Sequence, residues 1–429
     1  MSMHLADSAA FRRSDLESAS VSPASARELA LEFNEVWAAR RQPASGQADV
    51  VDLFCGCGGL SCGFELVGRA AGEYRLAAAV DINGPAAETY AANLPIRPLL
   101  ADLLAATDSP AAIDELVGLM NLREGAPLIL IGGPPCQGFS AHRKKQGDVR
   151  DGRNALVAAF SRVAVRLQPD FIVLENVPEL LAKRHWGRYL SFRRDLEECG
   201  YTVRAQIHNL AAFGVPQARF RALVLASKSP FHMPEGFLTP ASFRTVRAAI
   251  GHLPPVEPGV PSPHDPMHVC TRHRRSTIET IRSVPLDGGS RPAGVGPECL
   301  DKVDGFRDVY GRLYWDRPAN TITAFSRNPA SGRYVHPEQH RGLSVREAAL
   351  LQGFPSDFVF CGPFDDRFSQ IGNAVPPVFA TFIAAHVAHE RAVDRAGSVC
   401  PNSDSDVTQP TSNSFSSGIA GRKKGMLRP

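Results

Sequence analysis

The sequence predicts an α/β protein, a doubly wound and mostly parallel sheet joined to a smaller, irregular domain. Three observations lead there. From Asp49 to about Ser227, short β-rich apolar runs alternate with longer helical stretches. Between about 228 and 340 the texture changes to proline, glycine, histidine and arginine with little periodicity. Helical patterning then resumes, as though the chain returned to its first domain.

In order, the chain opens with an extension over residues 1–48. It holds one expected helix, 25–41, and reads as an appendage. Strands are expected at 50–54, 76–82, 128–131, 171–174, 202–207 and 222–225, which define a catalytic domain over 49–227. The irregular domain covers 228–340. Helices at 344–351 and 377–393 belong to a returning segment, 341–396, and the Ser-, Asn-, Thr- and Asp-rich tail 397–429 is expected to be disordered.

At 429 residues, with 44% hydrophobic and 21% charged, the chain can bury a large core. Its net charge of +3 permits a polyanionic partner without requiring one, so local clusters decide. Nine cysteines in no even framework, behind an N-terminus lacking an apolar signal stretch, point to a reducing, cytoplasmic setting. Even the apolar run 376–387 is too short to span a bilayer, so no membrane role is expected.

Val51-Asp-Leu-Phe-Cys-Gly-Cys-Gly-Gly-Leu-Ser places a glycine-rich turn directly after a strand and before a helix, where bare backbone can approach a nucleotide-like ligand. By itself this could be an unliganded tight turn. Asp81, 22 residues after Gly59, closes the next strand, where a carboxylate accepts hydrogen bonds from ribose hydroxyls. Asp102, in Leu100-Ala-Asp-Leu-Leu, could reach an adenine amino group or be a solvated surface acid. The turn carries no Lys followed by Ser or Thr, which disfavours a phosphate-gripping loop and favours an adenosyl ligand with few phosphates. Cys55, Cys57 and Cys62 crowd the turn but lack the second pair that a zinc site needs.

Gly132-Gly-Pro-Pro-Cys-Gln-Gly-Phe-Ser follows a strand and presents Cys136 in a loop at the carboxyl edge of the sheet, as a nucleophile requires. Phe171-Ile-Val-Leu-Glu-Asn-Val ends a strand at the same edge. Its Glu175 suits a partly buried proton donor with a raised pKa, or else a simple helix cap. In Gln217-Ala-Arg-Phe-Arg221, strand alternation would put Gln217, Arg219 and Arg221 on one face, either a solvated edge or an oxygen-binding one. The segment 142–153 has five Lys or Arg against two Asp and could touch phosphates through Arg143, Lys144 and Lys145. Thr271-Arg-His-Arg-Arg275 is a second basic cluster.

Together these segments resemble the DNA (cytosine-5)-methyltransferase family over about 49–378, with the irregular domain matched poorly. The resemblance implies a Rossmann-like methyltransferase fold that uses S-adenosylmethionine and flips its target base out of the duplex. It implies a cofactor pocket formed by Phe54, Gly56, Gly58, Gly59 and Leu60, by Asp81 with Ile82, by Asp102 with Leu103, and by Pro134, Leu156, Asn373 and Ala374. It implies Cys136 as covalent nucleophile, assisted by Gln137, Glu175, Arg219 and Arg221. Groove contacts fall to Arg272, Arg274 and Arg275 in a target-recognition domain. The expected partners are double-stranded DNA and, functionally, a cognate restriction endonuclease; the chain is expected to be a monomer at the nucleoid. Rival readings are methylation of RNA, an inactive DNA-binding relative, and a nucleotide-linked oxidoreductase. The last leaves Pro134-Pro-Cys-Gln unexplained.

Overall fold

A computed structural model describes residues 22–39, 46–135, 155–301, 308–395 and 406–411. The first elements are α1 (Pro23–Leu31), α2 (Phe33–Ala38), β1 (Ala48–Leu53), α3 (Gly59–Ala71), β2 (Tyr74–Asp81), α4 (Gly84–Asn93), β3 (Leu99–Leu100), α5 (Pro110–Gly118) and β4 (Leu128–Gly132). They are followed by α6 (Ala155–Leu167), β5 (Phe171–Asn176), α7 (Trp186–Glu197), β6 (Thr202–Asn209), β7 (Gln217–Ala218) and β8 (Phe220–Ser227). The remainder comprises α8 (Val246–Ile250), α9 (Arg275–Arg282), β9 (Ala319–Asn320), α10 (Val345–Gln352), α11 (Phe364–Asn373) and α12 (Pro377–Arg395).

Seven strands form one sheet in the order β3-β2-β1-β4-β5-β8-β6. All neighbours are parallel except β8, which runs against both β5 and β6. The strand order reverses between β1 and β4, so the crevice beyond their carboxyl ends is the place where a doubly wound sheet takes its ligand. The glycine loop 54–59 and the described start of the cysteine loop, 133–135, leave from those two strand ends.

Alternation along each strand supplies two cores. Val50, Ile129, Ile131, Val173 and Leu225 face α1, α3, α10 and α12, whereas Val51, Leu53, Leu130, Ile172 and Val224 face α6 and α7. The region 228–340 has its own small core of Ile281, Val284, Val309, Tyr310 and Val335. Its regular structure among the described residues is limited to α8, α9, three single-turn 3-10 helices and the two-residue β9, which pairs with β7.

Three expectations change. The N-terminal segment forms two helices broken at Glu32, and it is no appendage. Ala26, Leu29, Ala30, Phe33 and Trp37 recur at helical spacing and are buried in the main core, and Trp37 Nε1 donates to Asp357 at 2.9 Å. Residues 406–411 of the tail dock on the catalytic domain: Asp406 accepts from Ala205 N–H and pairs with Arg193, both at 2.9 Å, while Thr411 bridges to Leu181. Finally, Phe364–Asp394 is long and apolar enough by length and composition to cross a membrane, but 83% of its most apolar 18-residue stretch is buried inside the molecule. Its apolarity serves the core, where Gly63 of α3 lets the backbone of Ala380 and Thr381 approach too closely for any Cβ.

Candidate active site

On the side of the glycine loop, β1 gives way to Phe54, whose φ of 60° is left-handed in a residue that carries a side chain. Such strain persists where surrounding contacts over-determine it, commonly at ligand sites. Gly58, also left-handed, has Tyr90 and Leu94 where a Cβ would stand. Gly59 has the Val375 carbonyl 2.2 Å from its would-be Cβ, so the glycine loop is pressed directly onto the segment following α11. Leu60 is buried beneath it. A Cβ on Gly56 would meet nothing within 4 Å, so that glycine faces open space.

Across that space lies Asp81. Its carboxylate accepts from Gly56 N–H and from Asn83 N–H, each at 2.8 Å, which fixes the acid against the loop and leaves lone pairs free. Ile82 and Leu100, at the ends of β2 and β3, are 69% and 62% exposed, an apolar pair suited to the face of a purine. Asp102 is exposed and caps the following turn by accepting from Leu104 N–H, while Leu103 is buried. Asn373 is exposed, and Ala374 and Leu156 are half-buried. These residues fit an adenosyl ligand: an acid for the diol, an apolar platform for the base and a bare loop for the remainder.

One participant is absent from the sequence reading. Asp52 lies wholly buried on β1, where it accepts from Ser61 Oγ at 2.6 Å, and Ser61 in turn accepts from Tyr90. Its Oδ1 has no partner, and burial pushes its carboxyl up to about 7. An acid alternating with apolar residues inside a strand was the available sign. Burial likewise pushes the Cys57 thiol up to about 12, and Cys55, Cys57 and Cys62 are all buried.

On the base side, Pro134 is buried and its carbonyl accepts from Asn176 Nδ2 at 3.1 Å. This bond joins the start of the cysteine loop to the end of β5, one residue from Glu175. Cys136 and Gln137, like Arg143, Lys144 and Lys145, lie outside the described residues. Glu175 is 7% exposed, and Arg221 Nε lies 2.8 Å from its Oε1. No directed hydrogen bond reaches that oxygen, so charge holds the pair and the carboxylate remains available to a ligand.

The three side chains of 217–221 do not share one face. The strand breaks at Arg219: Gln217 and Arg219 turn inward, and only Arg221 reaches Glu175. Arg219, 2% exposed, donates to the carbonyls of Ile322 (2.9 Å), Gly372 (3.0 Å) and Ala374 (3.4 Å). Gln217 donates to Leu351 O and Gln352 and accepts from Ile322 N–H. This pair therefore ties the irregular region to α10 and to the closing segment. Arg219's guanidinium, expected against the base, is spent on backbone.

α10 is held with similar care. Ser344 and Glu347 form a capping box, and the same Glu347 takes both terminal nitrogens of the buried Arg341 at 2.7 Å. Arg341 and its cation hold the Glu347 carboxyl down to about 2. In the 271–275 cluster, Arg272, Arg274 and Arg275 are exposed, with Arg275 paired to Glu279 at 2.9 Å.

A family model of C-5 cytosine-specific DNA methylases matches residues 48–389. The chain belongs to that family. It is 35% identical over 342 residues to the type II methyltransferase M1.HphI of Haemophilus parahaemolyticus, covering 79% of this chain and 86% of that one. It is also 35% identical to the type II methylase M.HgiDII of Herpetosiphon aurantiacus, over 79% of this chain and 94% of the relative. In fold it resembles a prophage-encoded E. coli protein described as a DNA modification methyltransferase, at a TM-score of 0.61 and 22% identity over 80% of this chain. In this methylase, then, the glycine loop with Asp81 and the Glu175–Arg221 pair lie at one edge of the sheet, where β4, between β1 and β5, leads into the start of the cysteine loop.

Proposed function

We propose that this chain methylates carbon 5 of cytosine within a specific double-stranded DNA sequence, with S-adenosylmethionine as methyl donor. One observation carries the reading: Pro134, Asn176, Glu175 and Arg221 converge at the switch point beside the glycine loop and Asp81. The donor would be held by Asp81, Ile82, Phe54 and the loop 56–60, and it supplies an electrophilic methyl group.

Cytosine carbon 5 is a weak nucleophile, so a covalent step must precede transfer. The Cys136 thiolate adds to carbon 6, breaking the 5,6 double bond and pushing its electrons toward carbon 5 and ring nitrogen 3. Glu175, in its protonated form, donates to nitrogen 3 and so neutralises the negative charge that gathers there. Arg221, ion-paired with Glu175, orients that carboxyl and stands within reach of the base. After methylation, loss of the carbon-5 proton restores the double bond and expels the cysteine. Such chemistry needs the cytosine outside the helix, at a cost of a few kcal/mol repaid by contacts around the pocket. Arg272 and Arg274 would add phosphate or groove contacts.

The type II relatives favour the modification half of a restriction–modification system with a functionally paired endonuclease. We further propose that the chain acts as a monomer in the cytoplasm, at the nucleoid. Transfer of labelled methyl to duplex DNA and to transfer RNA tests the reading. Label in DNA that Cys136→Ser abolishes is expected; label confined to RNA would overturn it.

A further inference from the structure

One aromatic side chain is out of place. Among the described Phe, Tyr and Trp residues, all are buried or half-buried except Phe325, which is 67% exposed. Exposure on a mobile tip would carry little meaning, but this tip is braced from every side. Ser326, fully buried, donates its N–H to Thr323 O at 3.0 Å. The Phe325 carbonyl accepts from Asn328 N–H at 3.0 Å and from Ser331 Oγ at 2.7 Å, and its N–H donates to Thr323 Oγ1 at 3.3 Å. Arg327 pairs with Asp365 of α11 at 2.9 Å.

The tip's position matters as much as its rigidity. On one side, Thr323 and Ala324 abut Gly372 so closely that a Cβ there would lie 2.1 Å from their backbone. Arg219 clamps the neighbouring Ile322 to Gly372 and Ala374, two residues before Arg221 meets Glu175. On the other side, the Arg327 carbonyl accepts from Thr271 Oγ1, which opens the basic cluster Arg272 to Arg275. A rigidly held, solvent-facing phenyl ring therefore stands between the Glu175–Arg221 pair and the basic cluster Arg272 to Arg275.

We propose that Phe325 is the wedge of this enzyme: it enters the duplex at the target step and stacks in the gap that the extrahelical cytosine leaves. Apolar wedges from a rigid backbone offset the unstacking of a base step, and aromatic stacking on a base is strong and tolerant of sequence. The inference rests on the proposed action on duplex DNA and adds a residue that sustains base extrusion without touching the reacting atoms.

The experiment compares wild type, Phe325→Ala, Phe325→Trp and the remote exposed control Leu119→Ala on the DNA sequence that wild type methylates. Two duplexes are used, one with the target cytosine paired to guanine and one with it opposite an abasic site, which removes the pairing that flipping must break. The paired duplex should lose about tenfold to a hundredfold in single-turnover rate with Phe325→Ala, since stacking on one base is worth that much. The loss should fall below about threefold on the abasic duplex, and Phe325→Trp should restore most of the rate. In a third duplex, 2-aminopurine at the target position should brighten with wild type and stay dim with Phe325→Ala. An equal loss on both duplexes, or no loss on either, would overturn the wedge. Failure of wild type to methylate any duplex would instead remove the functional reading on which it stands.

Discussion

Arg219 and Arg221 are two residues apart, and the structure gives them opposite duties that mutation can separate. Arg219→Ala strands two buried carbonyls, those of Ile322 and Gly372, leaves the Ala374 carbonyl to Gln352 alone, and opens a guanidinium-sized void. An unsatisfied buried polar group costs about 1–3 kcal/mol. Water entering the void and relief of the arginine's own desolvation offset part of this, so the net loss should be about 3 kcal/mol. Arg219→Lys should recover little, because one ammonium cannot span carbonyls that a planar fork reaches together. Arg221→Ala breaks one ion pair at the rim of the sheet and should cost about 1 kcal/mol of stability. It should lower kcat about a hundredfold, the scale for losing one group that steadies transition-state charge. Urea unfolding midpoints and single-turnover methyl transfer on each variant provide the assay. If Arg219→Ala unfolded at the wild-type midpoint while losing only turnover, or Arg221→Ala lost stability and kept its turnover, the division of labour would be wrong.

Three further outcomes are expected. The Asp52 carboxyl, pushed up to about 7 mainly by burial, keeps its proton in the folded protein below that pH. Its contribution is complete below about pH 4 and is lost as pH rises through about 7, an interval worth at most ~4 kcal/mol. Asp52→Asn should flatten the fall in thermal midpoint between pH 5 and pH 8, and an unchanged slope would count against it. Gly59→Ala would drive a methyl into the Val375 carbonyl, so calorimetry should find at least tenfold weaker binding of S-adenosylhomocysteine; wild-type affinity would refute the close approach. Asp406→Ala should release the docked tail from Ala205 and Arg193, seen as faster amide exchange along β6, and unaltered exchange would show that the anchor does nothing.

The sheet was legible because each strand is a short apolar run closed by a turn, and the strand ends carry the distinctive residues. Asp81, Pro134 and Glu175 could be assigned to one edge from that pattern alone. A role that depends on what approaches from elsewhere in the chain leaves no such local mark. Arg219 and Arg221 look equivalent along an extended run, and only the break between β7 and β8 separates them. The partners of Gln217, more than a hundred residues away, are invisible to local pattern. Asp52 was passed over because a buried acid reads as one polar letter in an apolar strand. Helix 364–373 was missed for the same kind of reason, as its glycine and asparagine near the end resemble a loop. Phe325 gave no sign at all, since nothing in Thr-Ala-Phe-Ser-Arg distinguishes an exposed ring from a core one.

The covalent step is tested most directly with a duplex that carries 5-fluorocytosine at the target position, incubated with the protein and S-adenosylmethionine. Fluorine blocks loss of the group at carbon 5, so the cysteine cannot leave. A stable protein–DNA adduct bearing one added methyl, mapped by mass spectrometry to the peptide containing Cys136 and absent from Cys136→Ser, is the expected result. An adduct at another residue, or efficient methylation of ordinary duplex by Cys136→Ser, would contradict the assignment of the nucleophile.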